Sequence, residues 1–265
     1  MAARGAMAKG WRTTALRLVI ASAVLSVVSA CAGSTDDQGA SGKETKVTAL
    51  VGVGLKAVFT EAGAAFERSC PGARIELTFG HIPQLLAALR EGTSADVVVT
   101  HDQDSLQRVL GARPAAGSPR IVARNRLVLV VAEGNPKGIM TPSDLGRPGI
   151  LVLTCRPELP CGAPAQRILR AARVPVGNPL VDGGPSVVGI VARGEADAGI
   201  AFVTDVPGHE DEVDSIPVPA GQDDTIAIPA VVLGDRRSGE AAAFLDFLAS
   251  PEGVAIFERH GFLPG

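Results

Sequence analysis

The sequence predicts an α/β fold in two lobes, each a mostly parallel sheet flanked by helices. Three observations lead there. Residues 45–110 alternate strand, helix, strand, helix, strand, helix, the order that builds a parallel sheet with right-handed crossovers. Ala95–Thr100 is a short run centred on three consecutive valines, as expected where helices cover both sheet faces. A second strand–helix series then runs over residues 126–204, before a strand at 226–233 leads back toward two closing helices. Residues 45–125 with 227–265 are read as lobe I, and 126–226 as lobe II.

The first folded stretch, Thr45–Phe66, organises the rest. Val47–Val51 reads as a strand, Gly52-Val53-Gly54 as a turn, and Leu55, Val58, Phe59, Ala62 and Phe66 fall at helical spacing. A strand feeding a helix through glycines leaves the first-turn N–H groups of that helix unpaired. With the positive end of the helix dipole, they make an anion site.

The elements follow in order. Ile75, Leu77 and Phe79 alternate in a second strand, and Pro83 suits the first turn of a helix carrying Leu85, Leu86 and Leu89. Asp102–Leu110 reads as a short helix, and Arg113–Arg120 as a loop. Leu127–Ala132 and Ile150–Thr154 read as strands, Ser143–Leu145 as a helical turn, and Ala165–Ala172 and Val187–Arg193 as helices. Ala198–Thr204 is a strand, and Pro207–Asp214 an acidic exposed loop. Ile226–Leu233 contains Pro229, which suits an edge or crossing strand. Ser238–Ala249 and Pro251–Arg259 are the closing helices, the latter opened by Ser250 as cap.

The first 30 residues read as an export signal: Arg4, Lys9, Arg12 and Arg17 precede the apolar stretch Leu18–Val28. That core is shorter than the roughly 20 apolar residues a membrane span needs. Val28-Ser29-Ala30-Cys31 resembles a lipobox, which places a lipid on Cys31 and the protein on the outer face of the cytoplasmic membrane. Residues 31–44, small and polar, read as a flexible tether.

Charge and composition exclude several classes. The chain holds 25 Lys+Arg and 28 Asp+Glu; without the four basic residues of the signal the net charge is near −7. An acidic exported chain suits neither nucleic acid nor broad capture of anions. It has no tyrosine, and its one tryptophan, Trp11, lies in the signal, so no aromatic platform for stacking is available. Any anion must be held by local dipoles. Of the four cysteines, Cys155 and Cys161 flank Arg-Pro-Glu-Leu-Pro and suit a small disulfide loop in an oxidising compartment, which leaves Cys70 as a buried single thiol.

Enzymatic patterns are absent. Gly52-x-Gly54-x-x-Ala57 fits a dinucleotide fingerprint, yet no second half follows in the right order, and the same glycines serve an oxyanion turn. There is no G-x-S-x-G, and Ser186 has no locally paired histidine. His81, His101, His209 and His260 lack metal-ligand spacing. Asp197 reads as a structural turn acid and His209–Glu212 as a solvated loop. Neither enzyme activity, cofactor nor side-chain metal site is expected.

Two lobes joined by crossing strands suggest a binding protein with its cleft where helix N-termini converge. The stretches LTFGHIPQLLAALREGTSADVVVTHDQ, ARNRLVLVVAEGNPKGI with SDLGRPG, LPCGAPAQRIL, RGEADAGIAFVTDV and FLDFLASPEGVAIFERHGF come in an order and spacing that resemble the periplasmic molybdate-binding proteins of ABC importers. The resemblance implies the two-lobed periplasmic-binding-protein fold (type II), a cleft that closes on molybdate or tungstate, a membrane permease as partner, and a monomer. It also supports the Cys155–Cys161 pair.

At the site the chain departs from that family. The resemblance puts a serine at Gly54, another at Ile82, and a tyrosine at Phe202; backbone N–H contacts fall at Cys161 and near Val187. Three hydroxyl donors are therefore missing. At roughly 1.5–3 kcal/mol for each hydrogen bond to a charged group, their loss costs about 4–9 kcal/mol. His81, Thr100 and His101 are the candidate replacement donors. The alternative is a binding protein of changed specificity, because Gly54, Ile82 and Phe202 suit a larger or less charged ligand, or none.

Overall fold

The computed structural model describes residues 45–175, 179–219, 225–234 and 239–265. The leader, Cys31, the tether and Ser238 lie outside the described residues.

The first sheet segment assembles as the periodicity predicts. Strand β1 (Thr45–Gly52) pairs in parallel with β2 (Ala73–Gly80) and with β3 (Val97–Val99). Helix α1 (Lys56–Ser69) connects β1 to β2 through a 3-10 turn at Val53–Leu55, and α2 (Ile82–Arg90) connects β2 to β3. Alternate side chains go to opposite faces. Val97 and Val99 join the larger core with Phe59 and Phe66, while Val98 and Leu50 join Leu85, Leu86, Leu89, Leu106 and Val109 beneath α2 and α3 (Gln103–Leu110). Both faces are thus covered, which is why the strand reads as unbroken valine.

Strand β4 (Arg120–Ala132) begins seven residues before the expected start. Its first half, Arg120–Arg126, pairs antiparallel with β9 (Thr225–Val232) and, at Ala123 and Arg124, with the short β10 (Leu263–Pro264). Its second half, Leu127–Ala132, pairs with β7 (Ala198–Phe202) and β8 (Val213–Pro217). One strand therefore serves two sets of partners, with the changeover between Arg126 and Leu127. The polar start Arg124-Asn125-Arg126 masked its strand character from the apolar count.

Strand β5 (Val152–Cys155) lies parallel to β7 and to β6 (Leu180–Val181). The hydrogen-bonded order is β2-β1-β3-β9-β4-β7-β5-β6, with β8 and β10 attached to β4. The sheet is mixed: parallel triplets at both ends flank antiparallel β9 and β4. β9 decides between the two alternatives of an edge and a crossing strand. It is paired on both sides, to β3 and β4, and is no edge strand. Pro229 is tolerated because it sits opposite Ile121, where the β4 register shifts by a bulge, and its carbonyl accepts the Thr100 N–H.

Helices α4 (Gly162–Ala171) and α5 (Gly184–Ala192) follow β5 and β6. Helices α6 (Gly239–Leu248) and α7 (Pro251–Arg259) return to pack on α1, where Phe66 meets Phe244 at 5.2 Å and Phe59 meets Phe257 at 5.6 Å. Burying each such ring stabilises the fold by about 1.5–3 kcal/mol. Glu61 on α1 ties the same helices at the surface, holding Arg259 and, at 2.8 Å, His260 Nε2. Asp197 is structural as expected: its Oδ2 accepts the Leu151 N–H at 2.7 Å.

Candidate functional site

Four helix starts converge on one cavity of about 320 Å³. The Val53–Leu55 turn before α1 lines it, as do His81 before α2, Leu159–Cys161 before α4, and Gly183–Pro185 at the start of α5. His101, Asn125, Asp182, Phe202, Thr204 and Asp205 complete the wall. A second cavity of about 360 Å³ shares His81, His101, Leu159, Pro160 and Asp182 with it, and adds Ile82, Ser105, Arg108 and Arg156.

Capping separates these helices from the others. No side-chain cap bond closes α1, α4 or α5, and none of the three carries an acid in its first turn. α2 likewise starts without a first-turn acid; its Gln84 Oε1 accepts the His81 N–H at 3.1 Å. By contrast, α3 and α7 are capped by their own chain: Asp102 Oδ1 accepts from Ser105 N at 2.6 Å, and Ser250 Oγ from Gly253 N at 3.2 Å. Lys56 and Gly162 spend the first N–H of α1 and α4 on their own lead-in turns, at Val53 O and Leu159 O, but α1, α4 and α5 leave their positive dipole ends without a side-chain cap.

Among the described residues no lysine or arginine lines the first cavity, so the attraction of its wall for an anion comes from dipoles. Arg156, in the adjoining one, is paired with Asp182 at 2.6 Å. Two carboxyls face the first cavity. Asp205 is held by the Phe202 N–H at 3.0 Å, and burial lifts it from 3.8 to about 6, the Phe202 bond pulling the other way.

The sequence candidates fall in different places. Gly54, Cys161, Phe202, His81 and His101 all line the first cavity. Ile82 opens α2 and lines only the adjoining cavity; it is buried among Leu85, Leu86 and Leu89. Val187 lines neither. It is fully buried one turn into α5, and its N–H donates to Gly183 O at 3.2 Å, so the part of that helix start that lines the cavity is Gly183–Pro185 instead. Thr100 is also fully buried: its hydroxyl donates to Asp102 O at 2.7 Å and its N–H to Pro229 O, which leaves no donor for a ligand. The Phe202 N–H is spent on Asp205.

Cys155 and Cys161 are joined, with sulfurs 2.06 Å apart, and hold the loop that presents Leu159–Cys161. Cys70 is buried as expected, but it is not a free thiol, which corrects the single-thiol expectation. His209 is exposed and pairs with Glu212, and no described group of three or more His, Cys, Asp or Glu is arranged to hold a metal.

Several wall residues were not foreseen: Asn125, Asp182, Thr204 and Asp205. Asn125 Nδ2 donates to Thr204 Oγ1 at 2.8 Å, which ties β4 to the turn after β7. The sequence did carry a trace of this, because a buried asparagine opening an apolar strand needs a partner.

The bacterial extracellular solute-binding protein family model matches residues 47–263. The molybdate-binding protein ModA of Mycobacterium tuberculosis (strain ATCC 25618 / H37Rv) is 31% identical over 220 residues, 82% of this chain and 84% of its own. Among solved structures, the substrate-binding domain of a putative molybdenum ABC transporter from Clostridium difficile superposes with a TM-score of 0.70 at 19% identity, covering 83% of this chain and 99% of that one. The sulfate-binding protein SubI of Mycobacterium tuberculosis H37Rv gives 0.65 at 20% identity, covering 83% and 87%. The fold is thus the α/β fold of periplasmic binding proteins, and a chain whose uncapped helix starts meet around one cavity belongs to the bacterial extracellular solute-binding proteins, a family of binding proteins rather than enzymes.

Proposed function

We propose that this protein captures molybdate or tungstate in the 320 Å³ cavity and delivers it to the permease of an ABC importer. The observation that carries the reading is the convergence of uncapped helix starts on a wall with no lysine or arginine among its described residues. Such a wall offers N–H donors and dipoles to a tetrahedral oxyanion, while mobile counter-charges are left out. The likeness to ModA supports the choice of molybdate.

In this reading residues 45–125 with 227–265 form one lobe and 126–226 the other, and the cavity closes on the ligand between them. The changeover in β4 partners between Arg126 and Leu127 supports that division. A lipid on Cys31 anchors the chain to the outer face of the cytoplasmic membrane as a monomer, and no cofactor takes part.

A second reading has one observation in its favour. The Asp205 carboxyl on the wall is an acceptor, and an acceptor suits an oxyanion that carries its own proton, such as hydrogen phosphate, better than molybdate or sulfate.

A thermal melt of the detergent-extracted protein separates these. Ligand at 100 times its dissociation constant adds about 2.7 kcal/mol. A rise with molybdate and tungstate only is the expected result. A rise with phosphate alone moves the assignment to the second reading, and no rise with any oxyanion at millimolar concentration removes both.

A further inference from the structure

The His101 ring lies on the turn that opens α1. A Cβ at Gly52 would come 2.2 Å from its Cε1 and 2.5 Å from its Nδ1; a Cβ at Gly54 would come 2.9 Å from its Nε2. Two glycines therefore make the seat for one imidazole, because any side chain there would displace it. The ring borders both cavities, and the helix start beneath it is one of the uncapped ones.

Its hydrogen bonding is incomplete. Nδ1 is wholly buried and has no partner among the described residues. Buried polar atoms are almost always paired, and an orphan N–H is rarer than an orphan acceptor. The tautomer that leaves Nδ1 bare puts the proton on Nε2, the nitrogen beside Gly54. Burial is the main influence holding the ring neutral; Asp102 favours its protonation, and the second histidine of the wall, His81, which shares both cavities, opposes it with burial.

We propose that His101 is a ligand-binding residue of this cavity, whose Nε2–H reaches the bound oxyanion beside the first-turn N–H groups of α1. This rests on the oxyanion reading and adds to it the side chain that sets affinity where Gly54 offers none. The Gly52–Gly54 turn and His101 then act as one unit, the glycines existing to admit the ring.

The test uses the detergent-extracted full-length protein with molybdate as the probe, by calorimetry and by long-range proton–nitrogen spectra of its histidines. The expected spectrum has His101 neutral with the proton on Nε2, and molybdate shifts that nitrogen while His209 and His260 stay put. His101→Ala is expected to weaken molybdate binding at least ten-fold and His101→Gln, which keeps a donor, only a few-fold. Gly54→Ala is expected to weaken binding when the ring is present and to add nothing in the His101→Ala background. Binding by His101→Ala within two-fold of the unaltered protein overturns the assignment and leaves the oxyanion reading intact. Absence of molybdate binding by the unaltered protein removes both. Should His101→Ala not fold, an unmoved Nε2 resonance in the unaltered protein on saturation with molybdate overturns the assignment by itself.

Discussion

The Asp205 carboxylate occupies the space where a side chain at Gly184 would begin: a Cβ there would lie 1.7 Å from Asp205 Oδ2. A residue at the first turn of α5 and one in the turn after β7 are thereby fitted to each other. The glycine lets a carboxylate approach the start of a helix, where the dipole favours negative charge.

That contact has a pH signature. The Asp205 carboxyl titrates near 6 in the native protein against an ordinary 3.8, with burial as the main cause, so the folded state holds this proton more tightly than the unfolded chain. The group therefore destabilises the fold above pH 6, where it is charged in both states. The penalty fades as pH falls from 6 and is gone below about 4. At ~1.36 kcal/mol per pH unit, it reaches at most about 3 kcal/mol. Asp205→Asn keeps an acceptor for the Phe202 N–H and is expected to be more stable than the unaltered chain at pH 8, with no such gain at pH 4. Urea midpoints at the two pH values check this; an equal difference at both would contradict it.

His101 works in the opposite direction over nearly the same window. Burial, with His81 adding to it and Asp102 opposing, lowers its pKa from 6.5 to about 4. Asp182 and Asp205 share its cavity. The unfolded chain takes up this proton first, so stability is full above pH 6.5 and is lost as pH falls toward 4. The slope is up to ~1.36 kcal/mol per pH unit. His101→Gln should flatten the acid limb of the stability profile. A limb that keeps its slope in the variant would mean that other groups account for it.

Gly162 is demanded by backbone, not by a movable side chain. A Cβ there would lie 1.9 Å from Arg156 O. Gly162→Ala must push apart the Arg156–Cys161 loop and the start of α4, which form one wall of the cavity. The expected loss is at least about 2 kcal/mol in denaturant unfolding, at the upper end of ordinary single substitutions. Retention of full stability would show that the loop can shift at little cost.

The Cys155–Cys161 bond closes a short loop, with a sequence separation of 6. Chain-entropy reasoning gives about 2 kcal/mol for so small a loop. The Cys155→Ser, Cys161→Ser double variant is expected to unfold at lower urea by that amount and, because the loop presents Leu159–Cys161, to bind molybdate more weakly. Reductant should lower the urea midpoint of the unaltered protein by more than that of the variant, which lacks this bond.

Strand and helix placement was largely legible along the chain, because it follows from local period and local punctuation. Val97–Val99, Pro251 after Ser250, and the glycines before α1 each announce their element through near neighbours. β8, β6 and the first half of β4 were not legible. Each is short or polar and is a strand only because a distant strand pairs with it, as Arg124 does with Ala227 and Leu263. Pro229 left edge and crossing strand open for the same reason: whether a proline marks an edge depends on a bulge in the partner strand.

By itself, the sequence determined an α/β chain with glycine-led helix starts and without a catalytic pattern. Through its resemblance to the molybdate-binding proteins it also marked Gly54, Ile82, Cys161, Val187 and Phe202 as cleft positions, and His81, Thr100 and His101 as donors beside them. Only the tertiary structure decided which donors remain available. Thr100 spends its hydroxyl two residues away, Val187 lies one turn too deep, and His101 is left with a buried nitrogen that nothing described satisfies. The seat of His101 on Gly52 and Gly54, like the fit of Asp205 to Gly184, joins positions about 20 to 50 residues apart. Local propensity carries no information about such pairs; close packing does, because a missing Cβ at one position is meaningful only once the group that fills its space has arrived.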